Sequence, residues 1–224
     1  MKFKDKKLII FDLDGTLIDS APDLARAINY MLTELNYNTF DTHTIHEWVG
    51  NGAQILVKRA LSGDKSIDEN IDNELFENAL KIFLEFYSKN LSVETVPYVN
   101  VPQTLNLLRD RGYRLAIVTN KPFDFVAPIL EGLELISFFE YFIGGDSLIK
   151  KKPDPMPLLY VCDKLNVTVE ESIMVGDSKN DILASARCNM QSIGVTYGYN
   201  YNEDISIHNP TVVIDDFKEI LELL

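Results

Sequence analysis

The chain has 224 residues, 46% of them hydrophobic, and a formal net charge of −13 from 21 basic and 34 acidic side chains. This length suffices for one large domain, or for a main domain with a smaller companion. So acidic a chain is a poor candidate for a general nucleic-acid surface or for binding to anionic membranes. If it acts on an anion, a metal ion or a few well-placed lysines must reverse the field locally.

Several features of the sequence are typical of a cytoplasmic protein. The chain opens on a polar, basic stretch without an apolar segment long enough for a signal peptide, and no apolar run approaches transmembrane length. Its two cysteines, Cys162 and Cys188, lie in helical patterns and lack the spacings of zinc sites. We therefore expect reduced cysteines and no membrane partner. The sequence does not determine the oligomeric state, so a monomer and a homodimer both stay open.

The first predicted element is a strand, Leu8–Phe11, whose unbroken apolar run is typical of a strand buried on both faces of a parallel sheet. Asp12 and Asp14 follow it, and in an extended chain their side chains point to the same side. Two carboxylates forced together raise each other's pKa unless a cation or a proton intervenes. Because open α/β sheets bind ligands at the carboxyl ends of their strands, this strand end is a candidate site.

A block of about 70 residues with helical periodicity and no clear strand comes next. We expect Ser20 to cap its first helix, with Pro22 and Asp23 in the first turn. The apolar spacing predicts four helices, at about residues 21–36, 44–49, 52–61 and 68–89. The block is too long for an ordinary connection between two strands, so it predicts an inserted helical domain with hinges near Ile18 and at Leu91–Val96.

From about Val96 onward, strands alternate with helices. The pattern predicts strands at about 114–118, 138–143, 172–175, 191–195 and 211–214, and helices at about 101–111, 124–132, a stretch ending at 165, 181–187 and 217–223. Such alternation is typical of an α/β fold with a doubly wound parallel sheet. We expect residues 1–17 and 96–224 to form this core and residues 18–95 to form a small α-helical cap domain.

Polar groups follow successive predicted strands and should meet at one edge of the sheet. They are Asp12 with Asp14, Thr119 with Asn120, Lys152 in its loop, and Asp177 with Asp181. One carboxylate can act as a nucleophile that forms an acyl phosphate, and a second can carry a proton. Aspartate oxygens suit Mg²⁺, while a hydroxyl, backbone N–H groups and a lysine suit a phosphoryl group. The set predicts a two-step transfer of a phosphoryl group to water.

Taken singly, these residues allow plainer interpretations. Thr119 could be an ordinary strand-end hydroxyl, and Lys152, in a run of three lysines, a solvated surface side chain. Asp177 could simply cap a helix. The order of these residues after successive strands favours the functional interpretation.

The same residues resemble the motifs of the haloacid dehalogenase superfamily of phosphatases, over essentially the whole chain. Similar to its four motifs, in order, are Asp12-x-Asp14-Gly15-Thr16, Thr119, Lys152-Pro153, and Gly176-Asp177-Ser178-x-x-Asp181. The inserted helical block corresponds in position to the small cap domain of one branch of that superfamily.

The resemblance implies a role for each residue. Asp12 is the expected nucleophile and Asp14 the acid/base, while Asp12, Asp177 and the backbone carbonyl of Asp14 are expected to hold Mg²⁺. Thr119, Asn120 and Lys152 are expected to bind the substrate's phosphate. Asp181, with Ser178 beside it, is expected to support the metal site or Lys152 from behind.

Further stretches resemble the branch of this superfamily that hydrolyses 2-phosphoglycolate to glycolate and phosphate. They are residues 48–53, 119–122, 144–146 and 196–200. This resemblance implies that the loop Gly50-Asn51-Gly52 closes over the substrate's carboxylate, with Lys121 and Arg59 as candidate counter-ions. Alternatively, the loop is a turn that starts a helix with Trp48 packed behind it, and Arg59 lies on a solvated helix face.

Other functions of the same fold remain open at this point. A dehalogenase does not need an acid/base such as Asp14, and a sugar phosphomutase typically has an acidic residue where this chain has Gly176. A phosphatase for nucleotides, sugar phosphates or pyrophosphate is the nearest alternative, because cap loops determine specificity. A non-catalytic binding relative is a remoter one, since the carboxylates, Thr119 and Lys152 are all present.

Overall fold

A computed structural model of the chain describes residues 2–200 and 203–224. The strands in this part of the chain are β1 (Leu8–Phe11), β2 (Ile18–Asp19), β3 (Val96–Pro97), β4 (Arg114–Val118), β5 (Tyr141–Ile143), β6 (Ser172–Gly176), β7 (Gln191–Val195) and β8 (Val212–Ile214). Strands β2 and β3 form a short antiparallel ribbon. The other six pair in parallel in the order β5-β4-β1-β6-β7-β8, which confirms the predicted parallel sheet.

The helices fall into two groups along the chain. A block between β2 and β3 holds α1 (Ala21–Glu34), α2 (Thr42–His46), α3 (Ala53–Ser62) and α4 (Asn73–Tyr87). The helices that alternate with or follow the sheet strands are α5 (Val101–Asp110), α6 (Phe123–Gly132), α7 (Met156–Lys164), α8 (Lys179–Arg187) and α9 (Ile220–Leu223). None of the helices described is long and apolar enough to cross a membrane.

Both faces of the sheet are covered, as the unbroken apolar run of β1 predicts. Ile9 and Phe11 face a cluster built with α5, α6 and α9, whereas Leu8 and Ile10 face a cluster built with α7 and α8. All four side chains are fully buried. This alternation follows from the period of two along a strand, and it fixes β1 at the centre of the sheet.

The structure differs from several local predictions. Helix α4 begins at Asn73 rather than near residue 68, because the Asp72 side chain caps it by accepting the Leu75 N–H. The strand expected at 138–143 pairs with β4 only over Tyr141–Ile143, because Ile136–Phe138 forms a 3₁₀ turn instead. Ser20 does stand at the N-cap position of α1, but its side chain makes no capping bond. Its hydroxyl donates to Asp14 Oδ1 instead.

Helices α1–α4 enclose a hydrophobic cluster of their own, built around α1 residues such as Ile28 and Met31 together with Trp48 and Phe83. The chain passes into this helical block through β2 and returns from it through β3. The paired β2 and β3 therefore hold the two connections side by side, as hinges near Ile18 and Val96 would require.

A buried carboxylate ties the two connections together a second time. Asp23, in the first turn of α1, is 0% exposed. Its Oδ2 accepts backbone N–H groups of Val93, Glu94 and Thr95, each at 2.9 Å, and the Thr95 hydroxyl at 2.8 Å. Burial alone would raise the pKa of Asp23, but these hydrogen bonds favour the carboxylate more strongly and lower the pKa below its usual range.

Candidate active site

The register of the sheet brings three of the candidate residues together. Phe11 pairs with Ile117 of β4 on one side and with Val175 of β6 on the other. The residues that follow these strands, Asp12, Thr119 and Asp177, therefore leave the sheet at the same edge, and all three are buried. The convergence expected for the carboxyl ends of parallel strands is present.

Asp12 lies at the centre of this edge. Its Oδ1 accepts the Leu13 N–H at 2.7 Å and lies 3.0 Å from Nζ of Lys152. Burial raises the pKa of Asp12 to about 7; Lys152 opposes this rise, and the nearby Asp181 adds to it. The carboxylate thus lies where its negative charge is only partly compensated by the protein.

Asp177 and Asp181 complete a cluster of three buried carboxylates with Asp12, in which ligand oxygens lie within 4.8 Å of one another. Asp177 is fixed by two bonds, from Thr16 Oγ1 at 2.8 Å and from the Tyr199 N–H at 2.7 Å. Its burial, together with repulsion from Asp181 and Asp12, raises its pKa well above the usual range. So concentrated a negative charge on hard oxygen donors fits a divalent cation such as Mg²⁺.

Gly15 is required by the approach of Asp177. Its φ is +84°, and a Cβ added there would lie 2.3 Å from Asp177 Oδ2. A side chain at this position would therefore be strained in its backbone and would fill the space beside the carboxylate. The absence of a side chain at Gly15 thus makes room for the Asp177 carboxylate.

Lys152 is buried between two of the three carboxylates. Its Nζ lies 2.6 Å from Asp181 Oδ1 in addition to its contact with Asp12. Burial alone would lower the pKa of Lys152, but the two carboxylates outweigh this effect and raise it. The alternative interpretation of Lys152 as a solvated surface lysine is therefore wrong.

The start of α8 holds Asp181 in place. Its Oδ2 accepts the N–H of Ser178 at 3.0 Å and the Ser178 hydroxyl at 2.8 Å, which forms a capping box. The N-cap of α8 is Ser178, so Asp177 is not a helix cap, contrary to the plainer interpretation of that residue. Its carboxylate is directed to Thr16 and Tyr199 instead.

Thr119 and Asn120 lie on the neighbouring strand end. Thr119 Oγ1 accepts the N–H of Lys121 at 3.1 Å, and Asn120 Nδ2 donates to the backbone carbonyl of Lys152 at 3.0 Å. Among the described residues, Oδ1 of Asn120 is buried without a hydrogen-bond partner. A buried polar atom without a partner is costly, so this atom is available to a ligand donor group.

Asp14 lies close to Asp12 but has different partners. Nζ of Lys121 donates to Asp14 Oδ1 at 2.9 Å and to the hydroxyl oxygen of Tyr87 at 2.8 Å, and Ser20 donates to the same Asp14 oxygen. Tyr87 and Ser20 were not among the residues predicted for this site. Tyr87 belonged to the apolar face of α4 and Ser20 to an expected helix cap, so neither carried a functional signal.

A cavity lies between these polar groups and the helical block. Its volume is about 40 Å³. The sheet side contributes Asp12, Asp14, Thr119, Asn120, Lys121, Pro122 and Phe125, and the helical block contributes Leu24, Val49, Gly50, Gly52, Ala53, Leu56, Phe83 and Tyr87. Its floor is charged and its roof is mostly apolar, which suits a small anion that must be shielded from water.

The loop Gly50-Asn51-Gly52 closes one side of this cavity. Lys151 Nζ donates to the Asn51 carbonyl at 3.0 Å, and Asn180 Nδ2 donates to the Gly50 carbonyl at 3.2 Å. A Cβ at Gly52 would lie 2.9 Å from the carbonyl oxygen of Asn120. Gly52 is also the N-cap of α3, so the loop is both a turn that starts a helix and a wall of the cavity.

Arg59 does not line the cavity. Its guanidinium donates to the backbone carbonyls of Trp48, at 2.7 Å, and Lys65, at 3.0 Å. It thereby ties the segments before and after α3 to this helix, and its candidacy as a counter-ion for the substrate stays a prediction. Trp48 is buried and meets Phe40 edge-on at 5.0 Å, in agreement with its interpretation as a packing residue.

Comparison with known proteins gives a consistent result. Residues 9–195 match the family model for haloacid dehalogenase-like hydrolases. A phosphoglycolate phosphatase of Colwellia psychrerythraea is 53% identical over 99% of this chain and 98% of its own length, and one of Psychrobacter arcticus is 48% identical over 98% and 96%. The crystal structure of a predicted phosphoglycolate phosphatase from Haemophilus somnus superposes with a TM-score of 0.91, at 38% identity over 98% of each chain.

Proposed function

Because the chain belongs to the haloacid dehalogenase-like hydrolase family, we propose that it is a Mg²⁺-dependent phosphatase that hydrolyses 2-phosphoglycolate to glycolate and phosphate. One observation carries the proposal: Lys152 is buried between Asp12 and Asp181, and Asp12 lines a cavity together with Asp14. Asp12 would then be the nucleophile, Lys152 a fixed cation beside it, and Asp14 the proton carrier at the same cavity. The names of the similar proteins support the choice of substrate.

The cavity suits a small ester with two anionic ends. Thr119 and Lys152 provide a hydroxyl and an ammonium group for the phosphoryl end, and the N–H groups of Asn120 are further donors. We assign the carboxylate end to Lys121, whose ammonium group also contacts Asp14 and Tyr87 of α4. Gly50 and Gly52 bring backbone close to that end without a side chain that would occupy the space.

We assign the metal to Asp12, Asp177 and the backbone carbonyl of Asp14. The raised pKa values of Asp12 and Asp177 are what buried carboxylates show when a compensating charge is lacking. Mg²⁺ held there would neutralise charge on the phosphoryl oxygens. Asp181 is assigned to the support of Lys152, since it accepts that ammonium at 2.6 Å and is itself held by Ser178.

The protein residues then act in two steps. A carboxylate oxygen of Asp12 attacks phosphorus, the bond from phosphorus to the glycolate oxygen breaks, and Asp14 gives its proton to the departing oxygen. Asp14 next takes a proton from water as that water attacks the phosphorus of the acyl phosphate, which releases phosphate and frees Asp12. Lys152 and Thr119 hold the phosphoryl group throughout.

The helical block is the proposed cap domain, residues 18–95. Its roof over the cavity and its paired connections at β2 and β3 suit a lid that opens for exchange and closes to exclude water. We propose that the protein is a monomer or a homodimer. We propose the cytoplasm as its compartment, in keeping with two free cysteines.

A substrate panel tests this function. The kcat/KM for 2-phosphoglycolate is measured with Mg²⁺ beside those for sugar phosphates, nucleoside monophosphates and pyrophosphate. The proposal expects the highest value for 2-phosphoglycolate. A higher value for another ester would overturn the substrate, and hydrolysis of none would favour a binding relative over an enzyme.

A further inference from the structure

Tyr199 lies in residues 196–200, one of the stretches that resemble the 2-phosphoglycolate-hydrolysing branch. The mechanism above gives Tyr199 no role. We propose that Tyr199 is a positioning residue: its hydroxyl fixes the first connection to the helical block and, through Ser20, the acid/base Asp14. This inference rests on the proposed function for the role of Asp14. It adds a residue that touches neither the phosphoryl group nor the proposed metal site with its side chain.

The Tyr199 hydroxyl makes three hydrogen bonds to the first connection. It accepts the N–H groups of Ser20 at 2.7 Å and Ala21 at 3.1 Å, and it donates to Asp19 Oδ1 at 2.6 Å. Tyr199 is only 2% exposed, so water does not replace these bonds readily. The phenol therefore holds the turn from β2 into α1 at three consecutive residues.

Ser20 transmits this constraint to Asp14. Its N–H is bound by Tyr199, while its hydroxyl donates to Asp14 Oδ1. A shift of the Ser20 backbone would move the donor that orients this carboxylate. Misplacing an acid/base by about 1 Å can lower the rate by about 100-fold.

The backbone of Tyr199 is anchored to the sheet side of the site. Its N–H donates to Asp177 Oδ2 at 2.7 Å, and the preceding Gly198 allows this approach, since a Cβ there would lie 2.2 Å from Asp177 Cβ. On its other side, the ring meets His46 of α2 edge-on at 4.5 Å. One residue thus links the carboxylate cluster, the first connection and the helical block.

Tyr197 provides a matched control in the same loop. Its ring packs against Tyr98 at 4.7 Å, and its hydroxyl donates to the Thr16 carbonyl at 3.0 Å. Replacing it by phenylalanine removes a hydroxyl from the same loop without touching the bond to Ser20. The pair Tyr199→Phe and Tyr197→Phe therefore separates a role toward Asp14 from a general loss of loop packing.

The test measures release of the leaving group in a single turnover with enzyme in excess. The substrates are p-nitrophenyl phosphate, whose leaving group needs little protonation, and two alkyl esters, 2-phosphoglycolate and glycerol phosphate. The ratio of the aryl rate to each alkyl rate cancels differences in the amount of folded protein. We expect this ratio to rise about tenfold or more in Tyr199→Phe, because only the alkyl esters depend strongly on Asp14, and to change less than about twofold in Tyr197→Phe.

Ser20→Ala is expected to raise the ratio by a similar factor, and the double variant Ser20→Ala/Tyr199→Phe no further, since both act through one chain of contacts. An unchanged ratio in Tyr199→Phe, or an equal rise in Tyr197→Phe, would overturn the inference. A wild-type enzyme that hydrolyses glycerol phosphate but not 2-phosphoglycolate would instead overturn the proposed substrate. The ratio for the remaining alkyl ester still tests Tyr199 in that case.

Discussion

The ammonium group of Lys152 lies 3.0 Å from Oδ1 of Asp12, and both side chains are buried at the carboxyl edge of the sheet. Removing either member of a buried ion pair leaves the other charge buried without a partner, which strongly destabilises the folded protein. The pair therefore constrains stability as well as the proposed chemistry. It also reverses the local field in a chain whose net charge is −13.

Lys152→Met should disable the site and weaken the fold. Without the ammonium, Asp12 and Asp181 face each other uncompensated, and we expect kcat to fall at least about 100-fold and stability by about 3–5 kcal/mol. Phosphate release and denaturant unfolding measure the two effects. Lys81→Met, at an exposed site on α4, is the control and should change neither quantity appreciably. Wild-type activity in Lys152→Met would contradict the assignment of this lysine.

Asp14→Asn should slow the first step according to the leaving group. An amide cannot protonate the departing oxygen, so we expect a loss of at least about 100-fold for 2-phosphoglycolate and a much smaller loss for p-nitrophenyl phosphate. Single-turnover rates for the two esters provide the comparison. Equal losses for both would show that Asp14 is not the proton carrier.

Lys150 and Lys151 should affect substrate capture more than chemistry. They line a cavity of about 490 Å³ that shares five lining residues with the candidate catalytic cavity, including Gly52 and Asn120, and therefore adjoins it. Lys150→Gln/Lys151→Gln should lower kcat/KM several-fold, leave kcat nearly unchanged and flatten the dependence of kcat/KM on salt. Steady-state kinetics at several ionic strengths check this. A fall in kcat with an unchanged salt dependence of kcat/KM would contradict a role in substrate capture.

Asp23, which ties together the two connections between the helical block and the sheet, should make the free energy of unfolding depend on pH. Its folded-state pKa is lowered, so the stabilisation is fully present above the unfolded-state value near 3.9 and is lost as the pH falls through the folded value. Asp23→Asn should cost about 2–4 kcal/mol at pH 7, because an amide accepts the N–H groups less well. Denaturant unfolding of both proteins at pH 7 and below pH 4 should show the difference shrinking in acid. A difference independent of pH would contradict this account.

Most strands of the sheet, and the polar residues at its carboxyl edge, could be predicted from the sequence. The unbroken apolar run Leu8–Phe11 predicts a strand buried on both faces of a parallel sheet, and the positions of Asp12, Thr119 and Asp177 after successive strands predict their convergence. The strand bounds are right where apolar runs are unbroken and wrong at Tyr141–Ile143, because pairing with β4 decides where an edge strand begins.

The contacts from the helical block could not be predicted in this way. Helical periodicity assigns Tyr87 to an apolar face, but only the packing of α4 over the sheet brings its hydroxyl 2.8 Å from Lys121. Arg59 shows the same limit for a cation: its position on a helix near the site did not indicate that its guanidinium binds the backbone carbonyls of Trp48 and Lys65. Partners that are distant in sequence and belong to different elements leave no periodic signal.

The most direct test of the central claim is the initial rate of phosphate release from 2-phosphoglycolate by the wild-type protein with Mg²⁺, by the same protein after chelation, and by Asp12→Asn. We expect release that is lost on chelation, restored by Mg²⁺ and abolished in Asp12→Asn, because an amide is a poor nucleophile and a weak metal ligand. Undiminished release by the chelated protein or by Asp12→Asn would contradict it.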